Sequence, residues 1–175
     1  MKHKGPVIII IIAVAVAFII LSNKSFEIKK YDVIAEVGKP APDFTYPDSE
    51  GKMWSLADLR GNVVFINFWA TWCTTCEAEM PSKESLSKIM EGKPFQMLGM
   101  LFRDDPANLP AYYRTHTVSL PTLISPENEA AKKYGITGVP ETFIIDKEGI
   151  IREKLVGPRV WDTEEYIALI EKWLS

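Results

Sequence analysis

Cys73 and Cys76 are the only cysteines in the chain. They follow an apolar run, Val63-Val64-Phe65-Ile66-Asn67-Phe68-Trp69-Ala70-Thr71-Trp72, at the point where a helical pattern begins. Across a first helical turn this spacing puts both sulfurs on one face, close enough to form a disulfide. A helix N-terminus also offers unpaired N–H groups and the positive end of its dipole, which favour a thiolate over a thiol. One sulfur can then attack while its neighbour stands ready to displace the product. Residue type and position together indicate a redox site.

Other uses of the pair fit less well. A zinc site wants four ligands, and no second cysteine pair exists; His3 and His116 are the only histidines, so no metal is expected. A purely structural disulfide would close a very small loop and remove little chain entropy. Inert cysteines belong inside a core, not at a turn beside Trp72.

The elements that must position the pair can be read around it. The run from Val63 is β-branched and apolar, as a fully buried strand requires. Upstream, Asp48-Ser49-Glu50-Gly51 separates Phe44-Thr45-Tyr46 from Met53-Trp54-Ser55-Leu56 and predicts a hairpin. Leu56 to Arg60 reads as one helical turn closed by Gly61. After the cysteines a helix runs to about Met90 and stops at Gly92, with a kink expected at Pro81. Phe95 to Leu101 is a second buried strand, and Arg103 to Thr117 an amphipathic helix carrying Leu109, Tyr112 and Tyr113. Leu120 to Ser125 reads as a short strand and Pro126 to Tyr134 as a short helix ended by Gly135. Thr142 to Asp146 and Ile150 to Val156 form a hairpin around Lys147-Glu148-Gly149. Asp162-Thr163-Glu164-Glu165 is a capping box opening a last helix, Thr163 to Leu174. This order implies an α/β fold: a mixed sheet with helices on both faces, and the cysteines at the C-terminal end of a central strand.

A hydrophobic content of 47% is ample for one core, and a net charge of −3 argues against a nucleic-acid surface. Lys2 and Lys4 precede Val7 to Leu21, which contains no polar residue. That run is at the short end for a bilayer, which takes about 20 residues. It leads into Ser22-Asn23-Lys24-Ser25-Phe26 without a small-x-small cleavage site, so residues 1–21 are read as an uncleaved membrane anchor, with a removed signal segment as the alternative. Residues 22–36 are a polar linker, and the folded domain spans 37–175. Lysines flank the apolar run on both sides, so the positive-inside rule does not orient it. A domain on the extracytoplasmic side is expected, because a lone CxxC has most to do in an oxidising compartment.

Phe68-Trp69-Ala70-Thr71-Trp72-Cys73-Thr74-Thr75-Cys76 resembles the active-site motif of the thioredoxin superfamily, and Gly135 to Asp146 resembles its cis-proline loop. The opening Val37 to Phe44 and the extra helix near residues 106–116 are similar to the membrane-anchored TlpA/ResA/CcmG (DsbE) branch. Gly138-Val139-Pro140-Glu141-Thr142 resembles the CcmG type, which supplies reductant for cytochrome c maturation. A peroxiredoxin shares the opening segment, but its peroxide site is not a WCxxC. The resemblance covers about residues 37–174. It implies a thioredoxin-like three-layer fold with an N-terminal β-hairpin extension and a helical insertion.

The resemblance also implies roles. Cys73, the exposed cysteine, is the nucleophile and Cys76 resolves the mixed disulfide. Pro140 is cis and, with Trp72, Val139 and Glu141, contacts an extended substrate segment. Glu79 tunes the cysteines and moves protons; the aspartate of thioredoxin itself is replaced here by Asn67, which cannot titrate. Thr74 and Thr75 stand between the cysteines where relatives often have proline, and their hydroxyls are potential donors to a thiolate. The implied partners are protein thiols and disulfides, in particular the CxxCH cysteines of apocytochrome c, and a membrane thiol-reductant transporter; no cofactor is implied. A general extracytoplasmic thioredoxin, a disulfide donor and a redox-inert binding module are the alternatives.

Overall fold

The structure is a computed structural model, and it describes residues 35–175. The anchor expected over 1–21 and almost all of the linker expected over 22–36 lie outside the described residues. Seven strands and four α-helices make up the described chain: β1 (Thr45–Pro47), β2 (Met53–Ser55), β3 (Val63–Trp69), α1 (Thr74–Ile89), β4 (Phe95–Leu101), α2 (Leu109–Thr115), β5 (Thr122–Leu123), α3 (Glu129–Tyr134), β6 (Glu141–Ile145), β7 (Ile151–Val156) and α4 (Glu164–Leu174). The main sheet has the order β5-β4-β3-β6-β7. β3 runs parallel to β4 and antiparallel to β6, so the sheet is mixed, as the order of elements required. β1 and β2 form the separate N-terminal hairpin.

All seven residues of β3 are buried, which is why this strand reads as an unbroken apolar run. Its side chains feed two cores. Val64, Ile66 and Phe68 pack with Tyr134 of α3, Phe143 of β6 and Tyr46 of the hairpin. Val63, Phe65 and Trp69 pack on the other face with Met80 and Leu86 of α1, Leu109 and Tyr112 of α2, and Ile170 of α4. Each such buried side chain contributes about 1.5–3 kcal/mol, so both faces of β3 anchor the strand end that carries the cysteines. Gly99 in β4 is needed there: a Cβ would meet the Trp69 indole nitrogen at 2.6 Å.

Several boundaries differ from the sequence reading. The insertion helix expected over Arg103–Thr117 is a 3-10 turn, Pro106–Asn108, followed by the short α2. Asp105 starts that turn by accepting a hydrogen bond from the Ala107 N–H. The helix expected over Pro126–Tyr134 is broken, because Glu127 and Asn128 have φ of 49° and 55°. Asn128 gives its side-chain oxygen to the Arg103 N–H at 2.6 Å instead of continuing the helix. The strand expected over Leu120–Ser125 shortens to β5. The capping box at Asp162–Glu165 does not form: α4 starts one residue later, with Thr163 as N-cap and no side-chain capping bond. The residue then at the third helical position is Tyr166, which cannot reciprocate. α1 is continuous from Thr74 to Ile89 with Pro81 inside it.

Candidate redox site

Cys73 is the N-cap residue of α1 and Cys76 lies in its first turn. The two form a disulfide, with Cα atoms 5.2 Å apart. The Cys76 N–H donates to the Cys73 sulfur at 3.1 Å, which fills one of the orphan donors of the helix start. The Thr75 hydroxyl lies 3.4 Å from the same sulfur, so one of the two intervening threonines does face it. Cys73 is 6% exposed and Cys76 not at all. The first cysteine is thus less open than the sequence implied; only the edge of its sulfur can be approached from solvent.

The turn before the helix is fastened by the loop after β4. Asp104 accepts the Thr71 N–H at 2.6 Å, and the Trp72 indole donates to the Arg103 carbonyl at 3.2 Å. Burial alone would raise the Asp104 pKa, but donors from Asn108 and Thr71 outweigh it and hold the carboxyl below the usual aspartate range. Trp72 itself remains 57% exposed beside the cysteines. Across from them the Val139–Pro140 peptide is cis. The Val139 carbonyl oxygen lies 3.8 Å from the Cys73 sulfur, and the Pro140 carbonyl is tied to the Gly157 N–H.

Glu79 is 1% exposed and sits one helical turn beyond Cys76. Its Oε1 accepts two hydrogen bonds, from the Arg159 N–H at 2.8 Å and the Trp161 indole at 2.9 Å. Its Oε2 lies 3.3 Å from Lys83 Nζ as an ion pair. Lys83 is itself fully buried and donates to the Asn67 amide oxygen at 2.7 Å. The Asn67 amide in turn donates to Thr142 Oγ1 at 2.9 Å. Burial pushes the Lys83 ammonium below the usual lysine range, and the Glu79 carboxylate works against that. Glu79 forms part of the wall of a cleft of about 490 Å³ that also includes Pro158, Arg159, Val160 and Tyr166.

The structure therefore brings Trp72, Cys73, Cys76, Glu79, Val139 and Pro140 together. It does not bring Glu141 to the groove. That side chain is buried on the opposite face of the sheet, with Phe143 as a same-face neighbour, and pairs with Lys154 at 3.1 Å. Strand alternation explains this: Thr142, not Glu141, points to the α1 side. Among the described residues no group of three or more His, Cys, Asp or Glu side chains is placed to hold a metal ion. Lys83, Asp104 and Trp161 escaped the sequence reading. Lys83 had a visible signal, since it falls on the same helical stripe as Cys76, Glu79, Met80 and Leu86.

A disulfide at a helix N-terminus, at the end of a central strand and facing a cis-proline loop, defines a thioredoxin-like thiol–disulfide oxidoreductase. Residues 37–154 match the AhpC/TSA family, and the chain belongs to that thioredoxin-like family. It is 33% identical over 151 residues to the thiol-disulfide oxidoreductase ResA of Geobacillus thermodenitrificans, covering 86% of this chain and 84% of that one. It is 39% identical over 137 residues to the thiol:disulfide interchange protein DsbE of Allochromatium vinosum, covering 73% and 72%. A crystal structure of a thiol:disulfide interchange protein from Chlorobium tepidum superposes with a TM-score of 0.69 at 28% identity, covering 80% of this chain and 99% of that one. The enzyme is a thiol–disulfide oxidoreductase.

Proposed function

We propose that this enzyme reduces protein disulfides on the extracytoplasmic side of a membrane, with the CxxCH cysteines of apocytochrome c as its substrate class. The observation that carries the reading is the asymmetry of the pair: Cys73 is 6% exposed beside the Val139 carbonyl, while Cys76 is fully buried. In the reaction the Cys73 thiolate attacks one sulfur of the substrate disulfide, and the other leaves as a thiolate. Cys76 then gives its proton to Glu79 and attacks Cys73, which breaks the mixed disulfide and releases the second substrate thiolate. Two electrons pass to the substrate, and the Cys73–Cys76 disulfide is the product state. Residues 1–21 tether the domain, and a membrane thiol-reductant transporter returns the electrons. The ResA and DsbE relatives, named a thiol-disulfide oxidoreductase and a thiol:disulfide interchange protein, support the exchange chemistry.

A second reading, disulfide donation, is favoured by the Cys76 N–H and Thr75 hydroxyl at the Cys73 sulfur, since donors that stabilise the thiolate make a pair more oxidising. The reduction potential separates the two. A value near −270 mV, about that of thioredoxin, supports the reductant; one near −120 mV makes the protein a disulfide donor. In cells, Cys73→Ser should abolish turnover, and Cys76→Ser should accumulate mixed disulfides whose partners are identified by mass spectrometry. Trapped apocytochrome c supports the substrate class, and its absence among abundant trapped partners overturns it. Added protease should digest the domain in spheroplasts if it lies on the extracytoplasmic side, and protection there overturns the location.

A further inference from the structure

Lysine is almost never fully buried without a partner, and Lys83 is 0% exposed in the middle of α1. Its ammonium has three protons to place. One goes to Asn67 Oδ1, and the charge faces Glu79 Oε2. Four segments converge on this network: β6 through Thr142, β3 through Asn67, α1 through Lys83 and Glu79, and the 157–161 loop through the Arg159 N–H and Trp161. An apolar side chain at position 83 would fill the space without the desolvation penalty of a buried ion. Packing alone thus gives no reason for the charge.

Position does give one. Oε2 of Glu79 has the Lys83 ammonium as its ion-pair partner, and Glu79 lies one turn from Cys76. We propose that Lys83 is a positioning residue of the thiol–disulfide reaction: its ammonium, anchored on Asn67, holds the Glu79 side chain through an ion pair so that Glu79 can take the proton from Cys76. This rests on the role given to Glu79 above. In the step concerned the Cys76 S–H bond breaks and its proton joins the Glu79 carboxylate. The Cys76–Cys73 bond then forms as the bond from Cys73 to the partner sulfur breaks, and that sulfur leaves with the electron pair. Lys83 touches none of the reacting sulfurs; it offsets the charge that Glu79 carries before the transfer. The titratable or charged groups that line the cleft with Glu79 are Arg159 of the loop and Glu165 and Tyr166 of α4, and Cys76 lies one turn back on the same helix. From β3 and β6 come the neutral Asn67 and Thr142.

The test follows resolution directly. Reduced protein reacts with Ellman's reagent, and release of the second thionitrobenzoate reports attack by Cys76. In Lys83→Met the pH profile of that release should move upward by about 1–3 units, the usual effect of an opposite charge on a neighbouring acid, and recover at high pH. Asn67→Asp keeps the lysine but adds a second carboxylate to it, and should shift the profile the same way. The thiolate absorbance of Cys76 in a Cys73→Ser background supplies a readout without turnover, and should shift with Lys83→Met as well. A Lys83→Met profile that superimposes on wild type, or is lowered by one factor at every pH, overturns the role of Lys83. If Glu79→Gln also resolves at the wild-type rate, the reading of Glu79 itself fails.

Discussion

Two buried glutamates flank the cis-Pro140 loop, and they sit in opposite cores. Glu79 and Glu141 are 1% and 4% exposed, and each has one carboxylate oxygen whose sole close partner is a lysine. The lysines differ. Lys83 is enclosed with Glu79, whereas the Lys154 side chain is 29% exposed, with its ammonium 5.4 Å from the centre of the Phe143 ring. A lysine that can turn to solvent makes its ion pair replaceable. A lysine that cannot makes the pair obligatory, because losing either member strands the other charge in a low-dielectric interior. The same residue types thus form a strand-edge support on one face and a chemically coupled unit on the other.

The sharpest way to break this comparison is to neutralise each carboxylate. Glu79→Gln leaves the Lys83 ammonium without its counter-charge and should destabilise the protein by about 3–5 kcal/mol near neutral pH. The effect should shrink as pH rises. Lys83 already binds its proton less tightly folded than unfolded, so stability is lowest below the folded value and recovers towards 10.5, the unfolded one. Removing Glu79 removes the charge that opposed burial and widens that window downward. The double variant Lys83→Met/Glu79→Gln should regain most of the loss. Chemical denaturation at several pH values checks this, and a loss independent of pH would show that the ammonium is not the cause.

Glu141→Gln is the matched, smaller change. Lys154 swings outward, so the cost is about 1 kcal/mol, in the range of a partly exposed pair. Resolution kinetics should not change, since the side chain lies on the face away from α1. An equal loss in the two variants would erase the distinction between enclosed and solvent-reaching pairs.

The sequence carried this site unevenly. The WCxxC and the strand before it were legible because strand and helix periods and the cysteine count are local properties. The proline loop and the role of Glu79 came from the family resemblance, with helical spacing placing Glu79 on the face of the cysteines. Glu141 was misplaced because its neighbour Pro140 drew it to the groove, while strand alternation sends it to the other core. Asp104 and Asn128 were invisible for another reason: their bonds to Thr71 and Arg103 join segments 33 and 25 residues apart. Lys83 lay between these cases. It stood on the buried stripe of α1, but a Glu and Lys four residues apart is also the ordinary pattern of a solvated helix face.

The exposed extreme of the comparison is the pair Glu77–His116, whose side chains are 50% and 29% exposed and 3.0 Å apart. It joins α1 to the end of the insertion, where the imidazole stacks on Tyr112 with ring centroids 4.1 Å apart. The hydrogen bond His116 donates to Glu77, with a further one to the Tyr112 carbonyl, raises the His116 pKa above its ordinary 6.5. His116 therefore binds its proton more tightly folded than unfolded. The stabilisation is complete below the unfolded value of 6.5 and disappears as pH rises through the folded one. Because both groups face water, the effect should be the smallest of the three and should weaken with salt. An NMR titration of the imidazole should give a midpoint above 6.5 that falls towards 6.5 in Glu77→Gln. A midpoint unmoved by that substitution would assign the shift to the Tyr112 carbonyl.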